Sequence, residues 1–224
     1  MRPLSMLEAR VLGVLVEKSL TVPDSYPLSL NSLTLGCNQK TAREPVLVAS
    51  EAEVQGAVDA LKALSLAFES SSSRVTRYEH NLGRVLGVPS QSVALIATLM
   101  LRGPQTASEL RTASERLHRF ADISAVEGFL EELAVRAAEK GGPLALRLPR
   151  APGAREPRWV HLLCGAVDVG EFASAADDEA SVPISEIAAL KARVSATEAE
   201  LDRLRSLVDR VYAELDITRE KGPA

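Results

Sequence analysis

Residues 4–88 and residues 89–165 carry the same order of hydrophobic patterns, which restricts the chain to architectures built from two copies of one small unit. In the first copy, Leu7, Val11, Val14 and Leu15 fall on one helical face between Leu4 and Lys18. TVPDSYP interrupts that face with two prolines, and Leu30, Leu33 and Leu35 then mark a brief second helix over 28–37. Ser50, with Glu53 three residues on, is a capping-box signature and opens a third helix whose face is Val54, Ala57, Val58, Leu61 and Leu64. LAFE and VTRYEH flank a run of serines and read as the two strands of a hairpin.

The second copy repeats each step. Ser90 is expected to cap a helix carrying Val93, Ile96, Ala97, Met100 and Leu101, and RGPQT breaks it. A short helix is expected over Ala107–Leu117, and Ser124 to cap a third with Val126, Phe129, Leu130 and Leu133. LALRLPR and RWVHLL flank the turn-rich APGAREP as a second hairpin. Three helices and a hairpin make a winged helix. The expected fold is therefore mainly α with small β-hairpins (α+β), with winged-helix domains at 1–88 and 89–165 joined by NLGRVLGVP.

Residues 166–183 are small and acidic without a sustained period, and read as a flexible linker. A long helix is expected over 184–220, because Ile187, Leu190, Val194, Leu201, Leu204, Val208, Val211 and Leu215 recur in alternate steps of three and four, with only Thr197 polar. That is a coiled-coil seam, and these residues are the candidate dimerisation contacts. Of the five pairs flanking the seam in a parallel dimer, Glu186 with Lys191, Arg193 with Glu198, Glu200 with Arg205 and Glu214 with Arg219 are opposite in sign, and Leu207 with Tyr212 is uncharged. The alternative is a helix folded back on its own domain.

The net charge of −4 is unevenly spread. Lys and Arg number 9 against 9 Asp and Glu in residues 1–88, 10 against 8 in 89–165, and 7 against 13 in 166–224. The middle is mildly basic and the tail acidic. Cys37 and Cys164 stand far apart, without a second cysteine or clustered histidines at metal spacing, which suits two reduced thiols. The start, MRPLSMLEARVLG, lacks a signal-peptide core, and the longest uncharged run, Gln91–Leu101, is far short of the roughly 20 residues a membrane span requires. A cytoplasmic protein with no membrane contact is expected.

DSYPLSLNSLTLGCNQKTAREPVL, TRYEHNL, LRGPQTASELR and REPRWVHLL together resemble the YceH family of uncharacterised bacterial proteins, in the same order over most of residues 4–165. The resemblance implies a tandem winged-helix fold and carries over no catalytic residues. Its characteristic stretches fall here on Tyr26, Pro27, Asn31, Asn38, Gln39, Lys40, Arg43 and Pro45, on Gln105, Thr106, Glu109, Leu110 and Arg111, and on Arg155–Arg158 with His161.

No enzyme is expected. His80, His118 and His161 sit singly, with no HExxH, GxSxG or phosphate-loop pattern, and no cofactor is implied. Two stretches are candidates for nucleic-acid contact. CNQKTAREP lies where a helix-turn-helix presents residues to DNA, so that Lys40 and Arg43 can contact phosphate and Asn38 and Gln39 can read adenine edges. The competing reading makes it a structural corner, with Asn38 and Gln39 capping the second helix and Arg43 paired with a carboxylate. The acidic Glu51, Glu53, Glu127, Glu131 and Glu132 on the third helices count against insertion of those helices into a groove. The second hairpin is the better candidate, since Arg147, Arg150, Arg155 and Arg158 bracket its turn against Glu156 alone. Trp159 beside them reads as core rather than base-stacking. The expected function is a dimeric, DNA-binding, transcription-regulator-like module of weak sequence preference. The alternative is a protein-interaction scaffold gripping a partner without nucleic acid.

Overall fold

The computed structural model describes residues 1–70, 75–150, 153–167 and 203. Among them the chain is α+β, with seven α-helices and two small antiparallel sheets. The first half runs α1 Met6–Thr21, β1 Leu28–Ser29, α2 Leu30–Cys37, α3 Glu51–Ala63, β2 Ala67–Ser70 and β3 Arg77–His80. After α4, Leu82–Leu86, the second half repeats the order: α5 Ser90–Arg102, β4 Gln105–Thr106, α6 Ala107–Ala113, α7 Ile123–Ala134, β5 Ala145–Arg147 and β6 Arg158–His161. Each sheet places its last strand in the middle, β1-β3-β2 and β4-β6-β5.

Local chemistry sets most helix starts. Ser5 with Glu8, Ser50 with Glu53 and Thr106 with Glu109 form reciprocal capping boxes at α1, α3 and α6. Such a cap satisfies two otherwise orphaned backbone N–H groups and contributes about 1 kcal/mol. Two expected caps shift. Asp122, not Ser124, caps α7 by accepting from the Ala125 N–H at 2.8 Å, and α5 begins at Ser90 itself behind Pro89. The helix expected over Ala107–Leu117 ends at Ala113, where the Ser114 hydroxyl turns back onto the Leu110 carbonyl at 2.6 Å. The NLGRVLGVP connection contains α4, closed by Gly87 at φ 63. Strands β1 and β4 are two residues long, too short to leave an alternating pattern in the sequence.

One hydrophobic core crosses residue 88 without a break. Helix α1 packs on α2 and α3 of its own half and lies against α5 of the other. Consequently α1 is buried continuously from Glu8 to Val16 and α5 from Ser92 to Leu101, rather than along a single stripe. Gly13 permits this approach, because a Cβ there would meet Leu101 Cγ at 3.0 Å. Each fully buried leucine of these two helices, such as Leu12, Leu95 or Leu99, contributes roughly 1.5–3 kcal/mol. Two backbone bonds add to the joint: Glu44 N–H to the Leu101 carbonyl and Leu4 N–H to the Leu163 carbonyl, both at 2.8 Å.

No helix among the described residues is long and apolar enough to cross a membrane. The expected linker beyond residue 167 and the heptad residues Ile187, Leu190, Val194, Leu201, Leu204, Val208, Val211 and Leu215 lie outside the described residues. The described residues up to 167 belong to one compact unit.

Candidate functional site

Strands β5 and β6 pair antiparallel, with Arg147 opposite Trp159 and Ala145 opposite His161. The alternation of β6 turns Trp159 into the core, at 3% exposure, and leaves Arg158 in solvent. The Arg147 guanidinium lies 5.9 Å from the Trp159 ring centroid, a cation–π distance that holds one charge against the base of the hairpin. The Leu148 N–H donates to the Arg158 carbonyl at 2.8 Å and extends the pairing one step toward the turn. Arg147, Arg150, Arg155 and Arg158 are all exposed, as is Glu156, the one acidic side chain of this turn. Among the described residues no ion pair engages Arg147, Arg150 or Arg155. The hairpin therefore concentrates positive charge, with Arg147, Arg150 and Arg155 without an ion pair among the described residues, an arrangement suited to a polyanion.

The corner CNQKTAREP is built differently. Asn38 ends α2, its side-chain amide donates to the Ala49 carbonyl and its Oδ1 accepts from the Ala49 N–H, each at 2.8 Å. This pair closes the loop from 38 to 49 as a strand bridge would. The Arg43 side chain is wholly buried and reaches Glu17 of α1 with both Nη atoms, at 2.7 and 3.2 Å. Its remaining bonds go to the Gly36 and Ala42 carbonyls and, at 3.4 Å, to the Gln39 Oε1. Arg10 is 1% exposed and donates to the Cys37 and Pro45 carbonyls at 3.1 and 2.6 Å. Burial pushes the Glu17 carboxyl up, but the Arg43 hydrogen bonds and charge, helped by Lys18 at 3.1 Å, outweigh burial and hold it below the usual carboxylate range. Burial likewise lowers Arg10, reinforced by the charge of Arg43. Arg43 is thus committed to the fold, and of the two cations proposed at this corner only Lys40 faces solvent.

The third helix of each half keeps an acidic outer face. Glu51, Glu53 and Asp59 are exposed on α3, and Glu127, Glu131 and Glu132 on α7. The stretch between α6 and α7 exposes Arg116 and Arg119, and the neighbouring Arg111 donates to the Ala121 carbonyl at 3.1 Å. In the sequence Glu109, Glu115 and Asp122 interleave with these arginines, so no run of like charge marks them. The histidines are spread through the structure. His80 bonds the Ser19 hydroxyl at 3.1 Å, His118 stacks edge-on against Phe120 at 4.7 Å, and His161 buries a partnerless Nδ1. Burial lowers His80 and brings His161 down to about 4.

A family model described as "Protein of unknown function, DUF480" matches residues 4–154, both halves up to the turn of the second hairpin. The chain belongs to this family. The YceH resemblance read from the motifs agrees with that membership. A UPF0502 protein of Burkholderia multivorans is 63% identical over 218 residues, covering 97% of this chain and 91% of the relative. A UPF0502 protein of Burkholderia orbicola and another of Burkholderia cenocepacia are each 62% identical over 219 residues, with the same coverage. The likeness to these DUF480-family relatives therefore extends past residue 154, through β6 and into the acidic tail.

Proposed function

We propose that each half of this DUF480-family protein is a winged helix, and that the second wing binds duplex DNA through phosphate and minor-groove contacts with little sequence preference. The order helix, strand, two helices, two strands in both halves, each with its last strand central, supports the winged-helix reading. The observation that carries the DNA reading is the exposed cluster Arg147, Arg150, Arg155 and Arg158 on one hairpin. The acidic faces of α3 and α7 keep those helices out of the groove, so the wing is the main contact and Lys40 a minor one. The heptad segment over 187–215 is proposed to pair two copies in parallel, doubling the number of wings that face one duplex.

Anisotropy titrations of a mixed-sequence duplex at several salt concentrations test this. Each phosphate contact contributes about 0.9 to the slope of log affinity against log salt, so replacing the four wing arginines by alanine lowers the slope by several units. Lys40→Ala lowers it by about one unit at most per chain. Deleting residues 184–224 converts the dimer to a monomer in sedimentation, and an unchanged mass refutes the tail assignment. If the full-length protein fails to bind duplex at low salt, the reading passes to a protein scaffold that presents the acidic faces of α3 and α7 to a cationic partner.

A further inference from the structure

A cavity of about 430 Å³ opens where the two halves meet, between the N-terminal segment, α4, the turn after α7 and the chain following β6. Its size lies within the range of small-molecule sites, roughly 300–1,000 Å³. Among the described residues the walls contain no acidic side chain, and the charged side chains lining it are Arg2, Arg136 and Lys140. Arg2 is neutralised by a bidentate pair with Glu8, both bonds at 2.8 Å. Arg136 donates to the Leu86 and Gly142 carbonyls, which are neutral, and Lys140 is exposed. Neither has a carboxylate partner among the described residues. The rest of the lining is largely apolar, including Val85, Leu144 and Leu162. Two uncompensated cations over such a floor are complementary to a ligand that is anionic at one end and apolar at the other.

We propose that this cavity binds a small organic carboxylate with an apolar body, its carboxylate at Arg136 and Lys140 and its body against Val85, Leu144 and Leu162. Arg136 uses two of its five N–H groups on backbone carbonyls and retains the others for a planar acceptor, which a guanidinium fork matches well. A single negative charge is enough to balance the Lys140 ammonium while the Arg136 charge stays shared with the carbonyl dipoles. Because α4 belongs to the junction and Arg136 to the second half, ligand contacts bridge both halves. The proposal is independent of nucleic-acid binding.

Titration calorimetry of the full chain with phenylacetate and with octanoate, against the neutral amides of both, decides it. The expected result is saturable binding of at least one carboxylate, with its amide weaker by about tenfold or more. Lys140→Glu reverses one charge at the mouth and is expected to weaken carboxylate binding by about tenfold or more, whereas Lys140→Arg preserves it. Val85→Asp, at a position already 37% exposed, places a charge on the floor and is expected to abolish binding without changing the melting temperature. Absence of saturable heat with both carboxylates overturns the proposal, as does equal binding of the amides or an unchanged affinity in Lys140→Glu.

Discussion

Arg43→Met retains most of the side-chain volume at the corner and removes only the charge and its hydrogen bonds. In the native protein that side chain has no exposed surface and pairs with a Glu17 side chain that is 15% exposed. Removing one member of a buried pair costs about 3–5 kcal/mol, because the partner charge stays desolvated. Here Lys18 still stands 3.1 Å from Glu17, which brings the expectation to the low end, about 3 kcal/mol. The Gly36 and Ala42 carbonyls also lose a donor. Urea unfolding of wild type and variant at neutral pH measures the loss, with Lys40→Ala, on the same loop but exposed, expected within about 0.5 kcal/mol of wild type. Adding Glu17→Gln to Arg43→Met should recover part of the loss, since the uncompensated carboxylate is then gone. The Glu17 carboxyl is held below its unfolded value, so its contribution is present above that value and is lost as pH falls through the lower folded one. The acid-side stability difference between wild type and Arg43→Met should therefore shrink over that interval. A loss below about 1 kcal/mol would refute the structural assignment of the corner. So would full stability coupled to loss of the proposed DNA binding, which would make Arg43 a candidate contact again.

Gly36→Ala should destabilise by about 1–3 kcal/mol in the same assay, because the new Cβ would stand 2.6 Å from Val14 Cγ1 in the α1–α2 contact. Under native conditions a thiol reagent should label Cys164, which is exposed, and not Cys37, which is buried and pushed up to about 12 by that burial; denaturant should release the second thiol. His161 is held neutral, with burial lowering it from 6.5 to about 4. Its contribution is complete above the unfolded value and is lost as pH falls from 6.5 toward 4, by at most about 3 kcal/mol. Melting temperatures across that range should fall less steeply in His161→Gln, and an unchanged pH profile would remove His161 as a source.

The sequence alone determined the two-fold recurrence of elements, because helix faces, capping boxes and turn residues are local and leave a spacing that can be read directly. Ser50 with Glu53 marked the start of α3, and Val54, Val58 and Leu61 marked its buried face, without reference to anything distant. The exposure of the second hairpin's arginines was legible for a similar reason: charges flanking a turn need no partner to be placed at the surface. Tertiary structure decided what local pattern cannot encode. The short strands β1 and β4 exist only because β3 and β6 supply their hydrogen bonds. α1 and α5 read as one-sided helices, yet each is buried all round over its middle because it meets the other through a gap left by Gly13. Arg43 offered the same residue type and polar setting as a phosphate contact. Its fate turned on Glu17, 26 residues earlier, and only the packing of α1 beside the corner brings that carboxylate within 2.7 Å. An arginine in sequence is equally a surface charge or a buried strut, and the choice is made by whether folding delivers enough acceptors to offset its desolvation.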